Sequence, residues 1–487
     1  MPGDNTVLYN GGYRVLRGYV PFSDYWLVTG PLLDYLNAFF FSIFGVSWKT
    51  YIIHSSFFNL IIALGSYYLF IKLNLSIKYS LFYSSLISIL FYPVVGTPFV
   101  DHHSTLFLML AFYMLILGVH VKNYTYFSAI PILICLSFLS KQTPAAYGLL
   151  AISLIILCYC LFNIKEINKI LLPLIIGSIA SICVLTLFFF LTGIKLLNFL
   201  EQYIYFSKTI GEYRITNYNF NIFDVIYKYK FINFFNIILF FILVNLFFKK
   251  KKNIKFIFII FTSLALSLIL IFHQFYTSNQ NYIFFIIPFL CAILHTVYSS
   301  TFLKNYILII SILLCIFSVF KYHLRFNEHR KFNELEKVDL NKAVDAEQIS
   351  TDLKGLKWIT YIYPNNPQKE IDYLKNVIKI ISSDKSKKAI LTDYQFLSST
   401  MDIYDYSPNQ WHHSTVSFPI KGQKYFSSYK NFFINNLKKN EISFIYETTA
   451  TERSITELII DKTCFKKERL SEILIKFMLL KNCKDFQ

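Results

Sequence analysis

The sequence predicts a mainly α-helical, polytopic membrane bundle of about ten spans that ends in a small α/β domain. Three observations lead there. Hydrophobic residues make up 55% of the 487-residue chain, and mean hydropathy is +0.46. Both values lie far above those of a water-soluble globular chain. The apolar residues come in runs near the length a bilayer needs, and in lipid runs this long are helices, because only helices or closed barrels satisfy the backbone there. From about Lys321 the composition turns charged and mixed.

The first 45 residues read as a polar, aromatic loop ahead of the bundle. Asn5 to Leu16 predicts a short helix with Val7, Leu8, Val15 and Leu16 on one side, stopped by Gly18 and Pro21. Tyr19, Phe22, Tyr25 and Trp26 suit a membrane–water boundary. Gly30-Pro31 breaks the chain again, and Pro31 opens an apolar helix to Phe44. At about 14 residues that helix is too short to span and is expected to lie in the interface. Residues 46–320 form the transmembrane domain. Its spans are expected at Val46–Lys72, Ser80–Val95, His103–Val121, Tyr126–Leu139, Ala145–Phe162, Ile170–Leu191, Phe231–Phe248, Lys255–Phe272, Tyr282–Val297 and Asn305–Phe320. Residues 194–230 make a longer Tyr-rich loop with an interfacial helix. Residues 321–487 are the α/β domain. Phe326–Leu356 reads as helix with loops and Gln368–Ile381 as a helix. Ala389–Thr392, Ile442–Tyr446 and Ile455–Ile460 read as strands, and Cys464–Leu480 as helical.

Net charge is +18. No nucleic-acid-binding motif accompanies it, so nucleic acid is excluded as a partner, and the charge is read as orientation signal and anionic-headgroup contact. Lys72, Lys78, Lys122, Lys165, Lys169, Lys249 to Lys252, Lys255 and Lys304 fall in one set of loops. The opposite short loops carry only Lys141. The first set is therefore cytoplasmic, and the N-terminal loop and the tail face outward, in a bacterial plasma membrane. Cys464 and Cys483 are expected to form a disulfide in an oxidising compartment. The other six cysteines lie in apolar runs and read as small core residues. The chain begins polar, so no cleavable signal peptide is expected.

Several polar residues interrupt this pattern. Asp4 and Asp24 sit in the N-terminal loop. Asp4 reads as a helix N-cap or a catalytic carboxylate, and Asp24 as a cap or a partner of Arg14 or Arg17. Asp101-His102-His103 opens the third span at its outward end. Ionisable residues there mark function, or else a capping acid beside interfacial histidines. Adjacent histidines point apart on a helix and need partners elsewhere to hold a metal. Lys141-Gln142 breaks the positive-inside pattern, which invites an anionic partner or reads as snorkelling. His273, Gln274 and Tyr276, with Asn279-Gln280-Asn281, form an outward loop dense in amides and hydroxyls. Arg214 is a further anion contact candidate. Trp411-His412-His413 in the tail reads as a structural loop or a sugar-stacking one. No Walker loop, H-E-x-x-H or nucleophile elbow is present.

The first stretch also resembles the first extracytoplasmic loop of the GT-C glycosyltransferases, in the bacterial branch related to protein mannosyltransferases and aminoarabinose transferases. The resemblance rests on Asp4, Tyr13-Arg14-Val15-Leu16, Gly18, Pro21-Phe22, Asp24, Trp26, Gly30-Pro31-Leu32 and Phe44-Gly45. It covers the first 45 residues well, the spans to about residue 300 loosely, and the tail not at all. It implies an inverting sugar transfer from a polyprenyl-phosphate-linked donor to a lipid-linked glycan, lipopolysaccharide or protein, on the outer face. Asp4 and Asp101 are then the catalytic residues, Asp4 as the carboxylate base and Asp101 matching a second outward acid, with Lys141 matching a family lysine. Such a transfer passes through an oxocarbenium-like state. The acceptor hydroxyl needs a base, and the phosphate needs positive charge or donors rather than a proton. Asp24, Arg14, Lys141, Gln142, His102, His103, His273, Gln274, Tyr276 and Arg214 are the candidate substrate contacts. A divalent metal is a candidate cofactor. The family places a helix before this loop, where only Met1-Pro2-Gly3 stand, so the resemblance implies an upstream helix or a shortened chain. The alternatives are a transporter or flippase of lipid-linked glycans, for which paired broken helices would be expected, and an inactive relative.

Overall fold

The computed structural model describes residues 3–216, 221–248, 253–277, 282–298, 304–448 and 454–486. Each of the ten apolar runs contains a helix. In chain order the first eight helices are α1 (Val7–Leu16), α2 (Leu32–Phe44), α3 (Trp48–Lys72), α4 (Ile77–Phe91), α5 (Val100–Val121), α6 (Ala129–Ser140), α7 (Gln142–Phe162) and α8 (Ile167–Thr192). Lys230–Phe248, Ile254–Thr277, Ile286–Tyr298 and Asn305–Tyr322 complete the apolar set. Among the described residues seven helices are long and apolar enough to cross a membrane: α3, α5, α7, the stretch from Ile164 through α8, Lys230–Phe248, Ile254–Thr277 and the stretch from Asn305 to Glu328. Ile77–Phe91, Tyr124–Ser140 and Ile283–Tyr298 are apolar but shorter, as is α2. Punctuation explains two of the short ones. Pro93 and Gly96 (φ +79°) turn the chain just after α4, and Lys141 takes an extended conformation after α6.

The chain divides into two compact units that interleave in sequence. One unit comprises residues 55–187 and 217–330. Its centre is α5, which packs against α6, α7 and Ile254–Thr277. In α5's most apolar stretch 78% of residues are buried, against 6% for the stretch ending in α8, so α5 is the core helix and α8 presents its side chains outward. Gly148 on α7 lets that helix close on α5, since a Cβ there would stand 2.1 Å from Leu108 Cδ1.

The other unit comprises residues 1–54, 188–216 and 331–487. Here α1 packs on α2. Two short strands, β1 (Val344–Asp345) and β2 (Lys357–Trp358), pair antiparallel. The main sheet holds β3 (Lys388–Thr392), β4 (Phe444–Thr448), β5 (Phe465–Arg469) and β6 (Leu474–Leu479) in the order β3-β4-β6-β5. β3 and β4 run parallel, and the other neighbours run antiparallel. Helices Pro367–Ser383 and Phe426–Lys439 accompany the sheet. The buried cluster around it draws on all three segments, with Trp26, Phe206, Leu391, Tyr429, Phe433, Ile445 and Phe477 in mutual packing. Trp26 N–H donates to the Pro408 carbonyl at 2.7 Å, tying the N-terminal loop to the tail backbone.

Three expectations for the tail are corrected. Cys464–Leu480 is a pair of antiparallel strands rather than a helix. Leu474, Ile475, Phe477 and Leu479 point into the core, and the Cys464–Cys483 disulfide closes the hairpin. Ile455–Ile459 is a short helix rather than a strand. Ser454 Oγ accepts the Glu457 N–H at 3.3 Å, and buried Glu447 accepts the N–H groups of Ile455 and Thr456, so the N-terminal donors of that helix are all answered. Phe326–Leu356 is a succession of turns with one two-residue strand, not a helix with loops.

Candidate active site

Asp101, Lys141 and His273, drawn from three separate helices, meet at one point in the helical unit. Phe99 is extended, so α5 starts at Val100 and Asp101 falls in its first turn. Lys141 is the extended residue between α6 and α7. Its backbone is fixed on both sides: its N–H donates to the Ser137 carbonyl at 3.0 Å, and its carbonyl accepts from Ser104 Oγ at 3.2 Å. His273 lies one turn before the end of Ile254–Thr277, where Thr277 Oγ1 donates to its carbonyl at 2.7 Å.

These backbones bring the side chains into bonding range. Lys141 Nζ donates to both Asp101 oxygens, at 2.8 and 2.6 Å. His273 Nε2 stands 2.9 Å from Asp101 Oδ1. The Asp101 and His273 side chains are fully buried, while 17% of the Lys141 side chain is exposed. A buried carboxylate is strongly destabilised unless it is paired and hydrogen-bonded, and here both conditions hold. Lys141 is the member that reaches out of the cluster, and Asp101 holds it in place. If His273 carries its proton on Nε2, Asp101 also fixes the tautomer that leaves Nδ1 as the basic nitrogen.

The neighbouring candidates do not join this cluster. His102 Nε2 meets the Phe91 carbonyl at 2.5 Å, and His103 Nδ1 meets the Phe99 carbonyl at 3.2 Å with its ring against Phe58. Both rings serve the α4–α5 connection. Gln274 Oε1 accepts the Tyr282 N–H at 2.9 Å and spans a loop. Tyr276 stacks on Phe272. Gln142 opens α7, and Arg214 stands partly exposed in the last turn of helix Ser207–Thr216. Asn279, Gln280 and Asn281 lie outside the described residues. Among the described residues no group of three or more His, Cys, Asp or Glu side chains is placed to hold a metal.

In the other unit Asp4 belongs to the 3-10 turn Gly3–Thr6, and its side chain lies outside the described residues. Asp24 accepts the Val20 N–H at 2.8 Å and the Lys439 ammonium at 2.9 Å, so its cation is Lys439, not the expected Arg14 or Arg17. Arg17 pairs with Asp402 instead. Arg14 is 1% exposed, donates to the Ser407 and Asn409 carbonyls, and lies over the Tyr25 ring. His412 is buried and His413 exposed.

The sequence reading passed over Asp34. It is completely buried on α2 and bonded to Tyr25 and Gln410. The one signal for it was Gly11-Gly12 in the middle of a predicted helix, since glycine inside a helix marks a close approach.

The chain matches no protein-family model, no curated protein and no solved structure.

Proposed function

We propose that the protein is a membrane glycosyltransferase of the GT-C kind, transferring a sugar from a polyprenyl-phosphate-linked donor to a cell-envelope acceptor at the outer face of a bacterial plasma membrane. The observation that carries the reading is the meeting of Asp101, Lys141 and His273 at helix ends in an otherwise apolar bundle. An ammonium steadied by a buried carboxylate suits a phosphate diester, because the leaving group of such a transfer needs a fixed positive charge. The role of Lys141 is to hold the donor phosphate, and Asp101 and His273 position it. Asp4 is the base for the acceptor hydroxyl, as the resemblance implies, with its own separate test. The Cys464–Cys483 disulfide supports an outward tail, since such bonds persist in oxidising compartments.

The test is sugar release from labelled polyprenyl-phosphate–hexose by the purified protein. Lys141→Ala is expected to weaken donor binding, and Lys141→Met with Asp101→Leu, which removes the pair rather than breaking it, to weaken it with a smaller loss of stability. Asp4→Asn is expected to lower turnover by about a hundredfold or more, the size of a general-base contribution. No release from a broad donor panel, or full activity in Lys141→Ala, sinks the reading.

The same buried Asp–Lys–His set favours one rival, a transporter or flippase of lipid-linked glycans, because intramembrane ion pairs also mark coupling paths. Movement of labelled lipid-linked glycan across vesicles, without loss of the sugar, distinguishes it.

A further inference from the structure

Asp34 sits where three chain segments cross. Its carboxylate is fully buried, and its hydrogen bonds come from neutral donors: Tyr25 Oη at 2.8 Å and Gln410 Nε2 at 2.9 and 3.1 Å. The cation whose charge reaches it is Arg14, whose guanidinium carbon lies 4.2 Å from the Tyr25 ring centroid and which makes no hydrogen bond to the carboxyl. Arg14 Nη1 and Nη2 donate to the Asn409 and Ser407 carbonyls, and its Nε–H is buried without an acceptor. The contact is built in from α1 as well. A Cβ on Gly11 would stand 2.2 Å from both Asp34 Oδ1 and Gln410 Nε2, so a larger residue here would push that pair aside.

Gln410 is half satisfied in this arrangement. Its Nε2 donates to Asp34 and, at 3.3 Å, to the Val7 carbonyl. Its Oε1 is buried with no donor. An amide has a donor end and an acceptor end, and a carboxyl group is a donor only when protonated. Protonation removes the charge while a carboxyl oxygen still accepts from Gln410 Nε2. The ionised form keeps a charge in the interior beside neutral donors only, which is costly.

We infer that Asp34 and Gln410 form a proton-operated pin: protonated, the pair locks α1, α2 and the 405–413 loop together; ionised, it loosens them. The other titratable and charged groups around it are held as follows. On α1, Arg14 donates to two carbonyls, and Arg17 pairs with Asp402, which also accepts from Tyr13 Oη. Tyr25 and Tyr19 in the N-terminal loop and Tyr35 on α2 are pushed up by burial and remain neutral. His412 from the tail is pushed down to about 3 by burial and then by Arg14, and is neutral too. Asp405 accepts from Asn10, and Asp24 is paired with Lys439. Burial pushes the Asp34 carboxyl up to about 7, against weaker opposing pulls from Tyr25, Gln410 and Arg14. The pin does not depend on the reaction the protein performs.

Difference infrared spectroscopy on the full chain in detergent tests it. Wild type is expected to lose a buried carboxylic C=O band as pH rises, with a midpoint near neutrality. Asp34→Asn is expected to lose the component with that midpoint and to keep the one from Asp393, whose carboxyl burial pushes up to about 6. Tyr25→Phe removes a donor to the ionised form and is expected to move the midpoint up. In parallel, hydrogen exchange corrected for intrinsic rates is expected to show residues 7–16 and 405–413 losing protection by about tenfold or more between roughly pH 6 and 8. Asp34→Asn is expected to stay flat over that range. A wild type with no titrating buried carboxyl there, an unmoved midpoint in Tyr25→Phe, or the same loss of protection in Asp34→Asn overturns the inference.

Discussion

At Gly11 the backbone of α1 passes so close to Asp34 and Gln410 that one methyl group has nowhere to go. Gly11→Ala is expected to destabilise the protein by about 1–3 kcal/mol, the usual cost of overpacking, although alanine is the better helix former. Thermal melts of the two proteins at one pH check this, and a stabilised Gly11→Ala would mean the crossing is looser than described. At Asp101 the loss has another origin. Asp101→Ala removes the buried carboxylate that Lys141 and His273 both meet, and about 3–5 kcal/mol is expected to go with it. Lys141→Met and Asp101→Leu together are expected to recover part of that, as replacing a whole buried pair is far milder than breaking one. Asp101, Lys141 and His273 were all legible in the sequence, because ionisable side chains at the ends of apolar runs stand out. Their meeting was not, since residues 101, 141 and 273 are brought together only by helix packing. Asp34 was hidden for the opposite reason: it lies within an apolar helix, where a lone acid looks like an interruption.

Among the elements, the long apolar helices were readable from length and composition alone, with ends shifted by a few residues. The tail was harder. Cys464–Leu480 mixes lysines with apolar residues in a way that fits a helical face, and its strand character comes from pairing β6 against β4 and β5. That partner choice is tertiary, which a local pattern does not carry. The disulfide at the base of this hairpin joins residues 19 apart, so its removal by Cys464→Ser with Cys483→Ser is expected to cost about 3 kcal/mol. Mass spectrometry of denatured, non-reduced protein should find neither thiol labelled, and full labelling of both would contradict the bond.

For the molecule as a whole, acid and base pull on stability in opposite directions. Asp34 has its carboxyl raised in the fold, so its contribution is complete below about pH 4 and is lost as pH climbs through about 7. Full burial makes the span roughly 4 kcal/mol. Asp384 is the reverse case. Although burial opposes it, hydrogen bonds from Ser386 and Tyr446 and the charge of Lys388 hold its carboxyl below the usual range. Its contribution is present above about pH 4 and falls away in stronger acid. Melting temperature is therefore expected to peak on the acid side of neutrality, and Asp34→Asn to flatten the alkaline limb alone. An alkaline limb unchanged by that substitution would place the sensitivity elsewhere.

The bond from Trp26 to Pro408 has a consequence for how the chain is made. The ribosome delivers Trp26 382 residues before Pro408. The N-terminal segment must therefore wait, without its partners, while the helices between are threaded into the bilayer. A chain cut short before the tail cannot close this unit, and Trp26 then lacks the Tyr429 and Phe432 rings that cover it. The tail is thereby the cover of the N-terminal loop, and a copy that lacks it keeps an indole ring without its neighbours.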